Sequence, residues 1–183
     1  MVPDEGECFR LLQRYAVPQN VIEHSRVVLR IARILCRELN GRGERMDLSL
    51  VEAASLLHDI AKVSSFQTGE NHSHAGARLL RELGFPEVAE IVRQHVVLDP
   101  EMNHGRITEA VVVHYADKRV KHEVIVSLEE RFQDLKDRYG KNPEACGWIK
   151  ALEGQSRSIE ERIFRKISLS PEDLSETNDR ELS

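Results

Sequence analysis

The sequence predicts an all-α protein, a compact irregular helical bundle in one domain. Three observations carry this. Apolar residues recur every three or four positions through successive segments, each bounded by capping residues, glycine or proline. No segment shows the alternation of a half-buried strand, and no internal repeat or glycine-rich phosphate cradle interrupts the pattern. A length of 183 residues with 40% hydrophobic and 31% charged side chains suits a soluble globular unit that can bury a core.

The first helix opens where Asp4 precedes Glu7 by three positions, buries Cys8, Leu11, Leu12 and Tyr15, and ends before Pro18. The second runs to Asn40 with Gly41 as its stop, and its inner stripe reads Val21, His24, Val28, Ile31, Leu35. Asp47 or Ser49 can cap a third helix, and Ser49 with Glu52 has capping-box spacing. Leu50, Val51, Ala53, Ala54, Leu56, Leu57 and Ile60 surround that helix, which makes it central and buried, and it carries His58 and Asp59. Lys62 follows one turn after His58, where its ammonium reaches either the mouth of a site or plain solvent.

Residues 63–71 read as a loop. His72 or Ser73 starts a fourth helix that Gly84 closes, and Pro86 occupies the first turn of a fifth with Val88, Ile91, Val92 and His95 inward. A sixth covers about Thr108 to Lys121, with Ala110, Val113, Asp117 and Val120 along one face. The capping box at Ser127 and Glu130 opens a seventh, with Leu128, Phe132, Leu135 and Tyr139 on one side and Gly140 at its end. Asn142-Pro143 begins a long last helix with Gly154 as a weak point. Residues 1–168 thus form a single domain, with a core at 21–120 and C-terminal helices at 127–168, and the acidic, polar stretch 169–183 is expected to be a mobile tail.

The net charge of -5 offers no bulk attraction to a nucleic acid polymer or an anionic membrane, although a local positive patch suffices for one small phosphorylated ligand. Cys8, Cys36 and Cys146 are scattered and lack CxxC spacing, so neither a disulfide framework nor a thiolate zinc site is expected. They read as small apolar residues in a reducing compartment. With no signal-like segment and no apolar run long enough to span a bilayer, a cytoplasmic location is expected.

His24, His95 and Asp117 each interrupt an apolar stripe on a separate helix, and the buried third helix adds His58 and Asp59. A lone inward histidine is ordinarily a satisfied core residue. Several ionisable groups together add desolvation costs that packing alone does not offset. Imidazoles and carboxylates converging between helices suit a divalent transition metal, Mn, Fe, Co or Zn.

In chain order His24, His58-Asp59 and Asp117 form an H…HD…D pattern, and the sequence resembles the HD-domain metal-dependent phosphohydrolases. His58-Asp59-Ile60-Ala61-Lys62 is similar to the HDIG variant followed by Lys, with Ala61 where Gly is usual. His72-x-x-x-Gly76-Ala77 resembles the H-x-x-x-G-A element of two-metal members, and Ile91-Val92-Arg93-Gln94-His95 their second added histidine. The likeness spans Val21 to Val120.

The resemblance implies a helical bundle of the HD-domain type. It implies that His24, His58, Asp59 and Asp117 hold one metal, and that Asp59 bridges to a second completed by His72 and His95. His74 competes with His72 but lacks the H-x-x-x-G-A spacing; His104, His114 and His122 match nothing in the pattern and read as surface or loop residues. Two cations roughly 3.5–4 Å apart can share and activate a water for in-line attack on phosphorus. Asp59 and Lys62 are then the catalytic residues, Lys62 neutralising the phosphate, and Lys118, Arg119 and Lys121 are candidates for a positive rim.

The implied function is hydrolysis of a nucleotide, a dinucleoside polyphosphate or a similar small phosphate ester. The Gly-Tyr-Pro element of the related cyclic-dinucleotide phosphodiesterases does not occur. A di-iron oxygenase of the same ligand types and a non-catalytic nucleotide-binding module are the alternatives.

Overall fold

The structure, a computed structural model, describes residues 1–103 and 105–176. Its helices are α1 (Glu5–Arg14), α2 (Gln19–Gly41), α3 (Leu48–Leu57), α4 (Lys62–Thr68), α5 (His72–Glu82), α6 (Pro86–Gln94) and α7 (Glu109–Lys118). A two-stranded hairpin follows, β1 (Val120–Lys121) and β2 (Val124–Ile125), and then α8 (Leu128–Tyr139), α9 (Pro143–Phe164) and a last turn, α10 (Asp173–Glu176). The all-α class is as expected.

Capping side chains set many of the starts, each substituting for an intrahelical partner the first turn lacks. Asp4 accepts from the Glu7 amide at 2.7 Å, Asp47 from Leu50 at 3.1 Å and Asn142 from Ala145 at 2.8 Å. The Ser127–Glu130 capping box forms in both directions. Glu52 does not close a box with Ser49; its carboxylate instead accepts from Arg33 Nε at 2.6 Å, tying α3 to α2.

The core lies where α3, buried on nearly every face, meets α2, α6 and α7. α5 and α6 pack together on one flank, and α8 and α9 pair over the other end of α7. At Gly76 on α5 an added Cβ would sit 3.2 Å from Val92 and 3.5 Å from Ile60, so glycine lets α5 settle closely onto α6 and the turn after α3.

The largest departure from the sequence reading is at the centre. α3 ends at Leu57, and His58 to Ala61 form a turn rather than continuing the helix. His58 Nδ1 donates to the Ser55 carbonyl at 2.8 Å, while Ile60 N bonds Leu57 O at 3.1 Å and Lys62 N bonds Asp59 O at 3.0 Å. The histidine side chain thus acts as a cap, and the backbone tightens into i→i+3 turns. α4 then replaces the loop expected over 63–71, closed by Gly69 at φ 71.

The β1–β2 hairpin was not expected either. It pairs Val120 with Ile125 and Lys121 with Val124, too short a ladder to leave an alternation in the sequence. α9 runs through Gly154 without a break. Residues 169–176, assigned by composition to the tail, fold back: Leu174 is fully buried and Arg119 donates to the Pro171 carbonyl at 2.9 Å. The remainder of the expected tail, 177–183, and His104 lie outside the described residues.

Cys8 and Cys36 are buried and unpaired, and burial pushes the thiols up to about 12 and about 11. Cys146 departs from that apolar role, being exposed. No helix among the described residues is long and apolar enough to cross a membrane.

Candidate metal centre

Histidines at helix ends build the centre. His95 caps α6 as His58 caps α3, with its own Nδ1 donating to the carbonyl three residues earlier, Val92 O at 2.7 Å. His24, on α2, donates through Nδ1 to the carbonyl of His122 at 2.7 Å. His122 holds φ 56 in the turn between β1 and β2, which aims that carbonyl back at α2. With Nδ1 of His24, His58 and His95 committed as donors, each ring in its neutral form keeps a lone pair on Nε2, which faces the middle of the bundle.

Two carboxylates meet these nitrogens. His24 Nε2 lies 3.1 Å from Asp117 Oδ1, and His58 Nε2 lies 3.4 Å from Asp59 Oδ2 and 3.7 Å from Asp117 Oδ1. On the other side, Asp59 Oδ1 lies 3.4 Å from His72 Nε2 and 3.6 Å from His95 Nε2. Two groups have ligand atoms close enough to share one ion: His24, His58 and Asp59, and then Asp59, His72 and His95. Asp59 is common to both.

The structure therefore brings together all six residues expected as ligands: His24, His58, Asp59, His72, His95 and Asp117. His74, the competitor of His72, is exposed on the outer side of α5. His122 is exposed and takes part through its backbone alone. His114 corrects the expectation of a surface residue. It is fully buried, its Nδ1 donates to the His95 carbonyl at 3.0 Å, and burial with the nearby Lys118 pushes its pKa down to about 3.

The electrostatics favour a bound cation. Burial alone would raise Asp59 and Asp117, but His58 and Lys62 around the first, and Lys118 and His24 around the second, hold both well below the usual carboxylate range. Burial would lower His58, yet Asp59 outweighs it and raises the imidazole. Burial with His95 nearby brings His72 down to about 4, and burial lowers His95 as well. His58 Nε2 is buried with no hydrogen-bond partner, a cost of about 1–3 kcal/mol for an imidazole nitrogen left unmet. A borderline divalent metal fits this donor set: neutral imidazoles, ionised carboxylates, and outer hydrogen bonds that fix each ring.

Lys62 Nζ lies 2.5 Å from Asp59 Oδ2 at the opening of the centre. The three cations considered for a rim behave differently. Lys118 is buried, with Nζ 2.7 Å from Asp117 Oδ2 and 3.0 Å from the His95 carbonyl. Arg119 is buried away from the centre against Tyr115, Glu160 and the Val126 carbonyl. Lys121 pairs with Asp134 at 3.3 Å.

A cleft of about 300 Å³ opens over Asp59, His72, His95 and Asp117. Its wall comes from α8 and α9 and includes Arg131, Arg138, Tyr139 and Trp148, none of which the sequence reading assigned to the site. The available signal was the spacing of Arg131 and Arg138, two helical turns apart on the α8 face that also carries Leu135.

A family model described as HD domain matches residues 21–139. An uncharacterized protein of Methanocaldococcus jannaschii is 31% identical over 137 residues, covering 68% of this chain and 80% of that protein. A tRNA (cytidine(56)-2'-O)-methyltransferase of Thermoplasma volcanium is 33% identical over 97 residues, 52% of this chain but 27% of that enzyme. A ribonuclease Y of Aquifex aeolicus is 36% identical over 92 residues, 50% of this chain and 16% of the enzyme. The chain thus spans most of the first relative and only a minor part of the other two. No solved structure matches it.

Proposed function

Because this chain belongs to the HD domain family, we propose that it is a metal-dependent phosphohydrolase that cleaves a nucleotide or a similar small phosphate ester. His24, His58, Asp59 and Asp117 would hold one divalent cation, and Asp59, His72 and His95 a second. The observation that carries this reading is the convergence of Nε2 lone pairs on two ionised carboxylates, with His58 Nε2 buried and unmet. When bound, the metal supplies a nucleophilic water near neutral pH and a counter-charge for phosphate oxygens.

The protein's own groups set the geometry. The Ser55, Val92 and His122 carbonyls lock the imidazoles in one tautomer and orientation. Lys62, with its ammonium at the opening, offsets charge on the phosphate as it enters and would share its proton between Asp59 and a phosphate oxygen. In the reaction a bond forms between the water oxygen and phosphorus and the bond to the leaving oxygen breaks. The water protons end on that oxygen and in solvent. Residues 1–168 would act as one domain in this, since the walls of the cleft come from both the 21–120 core and the C-terminal helices.

Release of phosphate or nucleotide from a panel of nucleotides, dinucleoside polyphosphates and sugar phosphates, with Mn supplied, tests the reading. Turnover that disappears in Asp59→Ala is the expected result. Metal-loaded protein that turns over none of them would overturn it.

A further inference from the structure

His114 is fully buried on α7, yet no ligand role falls to it. Its Nε2 has no hydrogen-bond partner among the described residues. A leucine or phenylalanine would fill the same space without burying an unmet nitrogen, so packing does not account for an imidazole there. The other nitrogen does: Nδ1 donates to the His95 carbonyl at 3.0 Å.

α6 ends at Gln94 with His95 as its cap, so that carbonyl lies at the helix end, where intrahelical partners run out. Lys118 Nζ donates to the same oxygen, also at 3.0 Å. His114 and Lys118 stand four residues apart on one face of α7, and together they occupy both lone pairs of the oxygen. Two side chains thereby fasten the end of α6 to α7.

The residue so fastened belongs to the second group of ligands. Of the two imidazoles facing Asp59 Oδ1, His72 is the first residue of α5 and its side chain is 29% exposed, whereas that of His95 is 1% exposed. His95 is the fixed member of the pair. Its Nδ1 returns to Val92 and its peptide oxygen is held by α7, so its ring follows its backbone. A shift of α6 against α7 would carry Nε2 away from Asp59 Oδ1, 3.6 Å distant. Lys118 also bonds Asp117 and so touches both groups; the bond His114 makes goes to His95.

We infer that His114 is a positioning residue for the second cation: with Lys118 it pins the His95 peptide oxygen to α7 and so holds His95 Nε2 in place beside Asp59 and His72. This rests on the two-cation reading above, but it is read out in metal binding rather than in turnover.

The test titrates metal-free protein with Co(II), following each step by visible absorption and by chelator competition. His72→Ala identifies the step that belongs to Asp59, His72 and His95. His114→Leu and His114→Phe should leave the other step nearly unchanged and weaken this one roughly 10–100-fold, as loss of an outer partner does. His114→Asn, whose amide nitrogen can stand where Nδ1 stood, should return most of the lost affinity. A packing role orders the variants the other way, since leucine and phenylalanine suit a buried apolar site and asparagine does not. Urea melts in chelator verify that each variant folds.

Apolar variants that bind both ions as wild type does, that weaken the two steps alike, or that bind more tightly than His114→Asn overturn the inference. Unfolding of both apolar variants would give His114 a structural role and overturn it too. Wild-type protein with a single step would sink the two-cation reading and this inference with it. Two steps with the expected order of variants, in protein that hydrolyses no phosphate ester, would uphold the inference and sink the hydrolase reading alone.

Discussion

His72 Nε2 and His95 Nε2 lie 3.1 Å apart, and both look onto the same oxygen of Asp59. Since His95 Nδ1 already donates to Val92, its Nε2 presents a lone pair, and burial opposes protonating either ring. Two nitrogens and a carboxylate oxygen so arranged are best reconciled by a cation between them. Asp59 also faces His58 through its other oxygen, so one side chain serves both halves of the centre.

That sharing gives different metal counts for different substitutions. Wild-type protein should carry about two divalent ions per chain by elemental analysis, His72→Ala about one, and Asp59→Ala no more than a trace. A His72→Ala protein that keeps both ions would refute the division into two groups.

Stability of the metal-free protein should depend on pH with a definite sign. In the folded chain His72 and His114 titrate at about 4 and about 3, against about 6.5 when unfolded. Below pH 6.5 the unfolded chain takes up protons that these folded rings refuse, so stability falls as pH drops toward 4. The slope is at most about 1.4 kcal/mol per pH unit for each ring. His58, being raised, keeps its contribution below 6.5 and loses it only at higher pH, and the depressed carboxylates act below 3.8. Urea melts in chelator at pH 7, 6 and 5 measure the trend; a flat profile would contradict it.

Ala61 stands where a glycine was expected, yet it takes φ -101 and ψ 8, a conformation open to any L-residue. Glycine there would only add freedom to the unfolded chain. Ala61→Gly should cost about 0.5–1 kcal/mol in chemical denaturation. A stabilised variant would mean that the turn is strained by the methyl group.

Lys118 is buried between Asp117 and the His95 carbonyl, so it holds two parts of the centre in register. Lys118→Met should fold with metal bound but bind it roughly 10–100-fold more weakly, as removal of an outer partner does. Chelator competition would show this, and unchanged affinity would assign Lys118 a packing role alone.

The helices of this bundle were legible because their signals are local: Asp4, Asp47, Ser127 and Asn142 cap where the sequence placed them. The inward histidines of α2 and α6 were legible by period. The turn at His58 was not, because the imidazole that ends α3 does so through its own hydrogen bond to Ser55, a choice that the apolar run before it conceals. Burial of His114 was not legible for a related reason: α7 is buried on nearly every side, whereas its period marks only the face of Ala110, Val113 and Asp117 as inward. Arg131 and Trp148 join the site only through the packing of α8 and α9, which no spacing in the chain encodes.

The bond from His24 to the carbonyl of His122 places a demand on a residue whose ring is out in solvent. What position 122 supplies to that bond is a dihedral angle, φ 56, and not an imidazole. Asparagine or glycine, which enter the left-handed region more readily, should serve His24 as well as histidine does, whereas valine or proline should tilt the His24 ring out of line. A census of titratable side chains would count His122 among the donors; its contribution to the centre is a peptide oxygen.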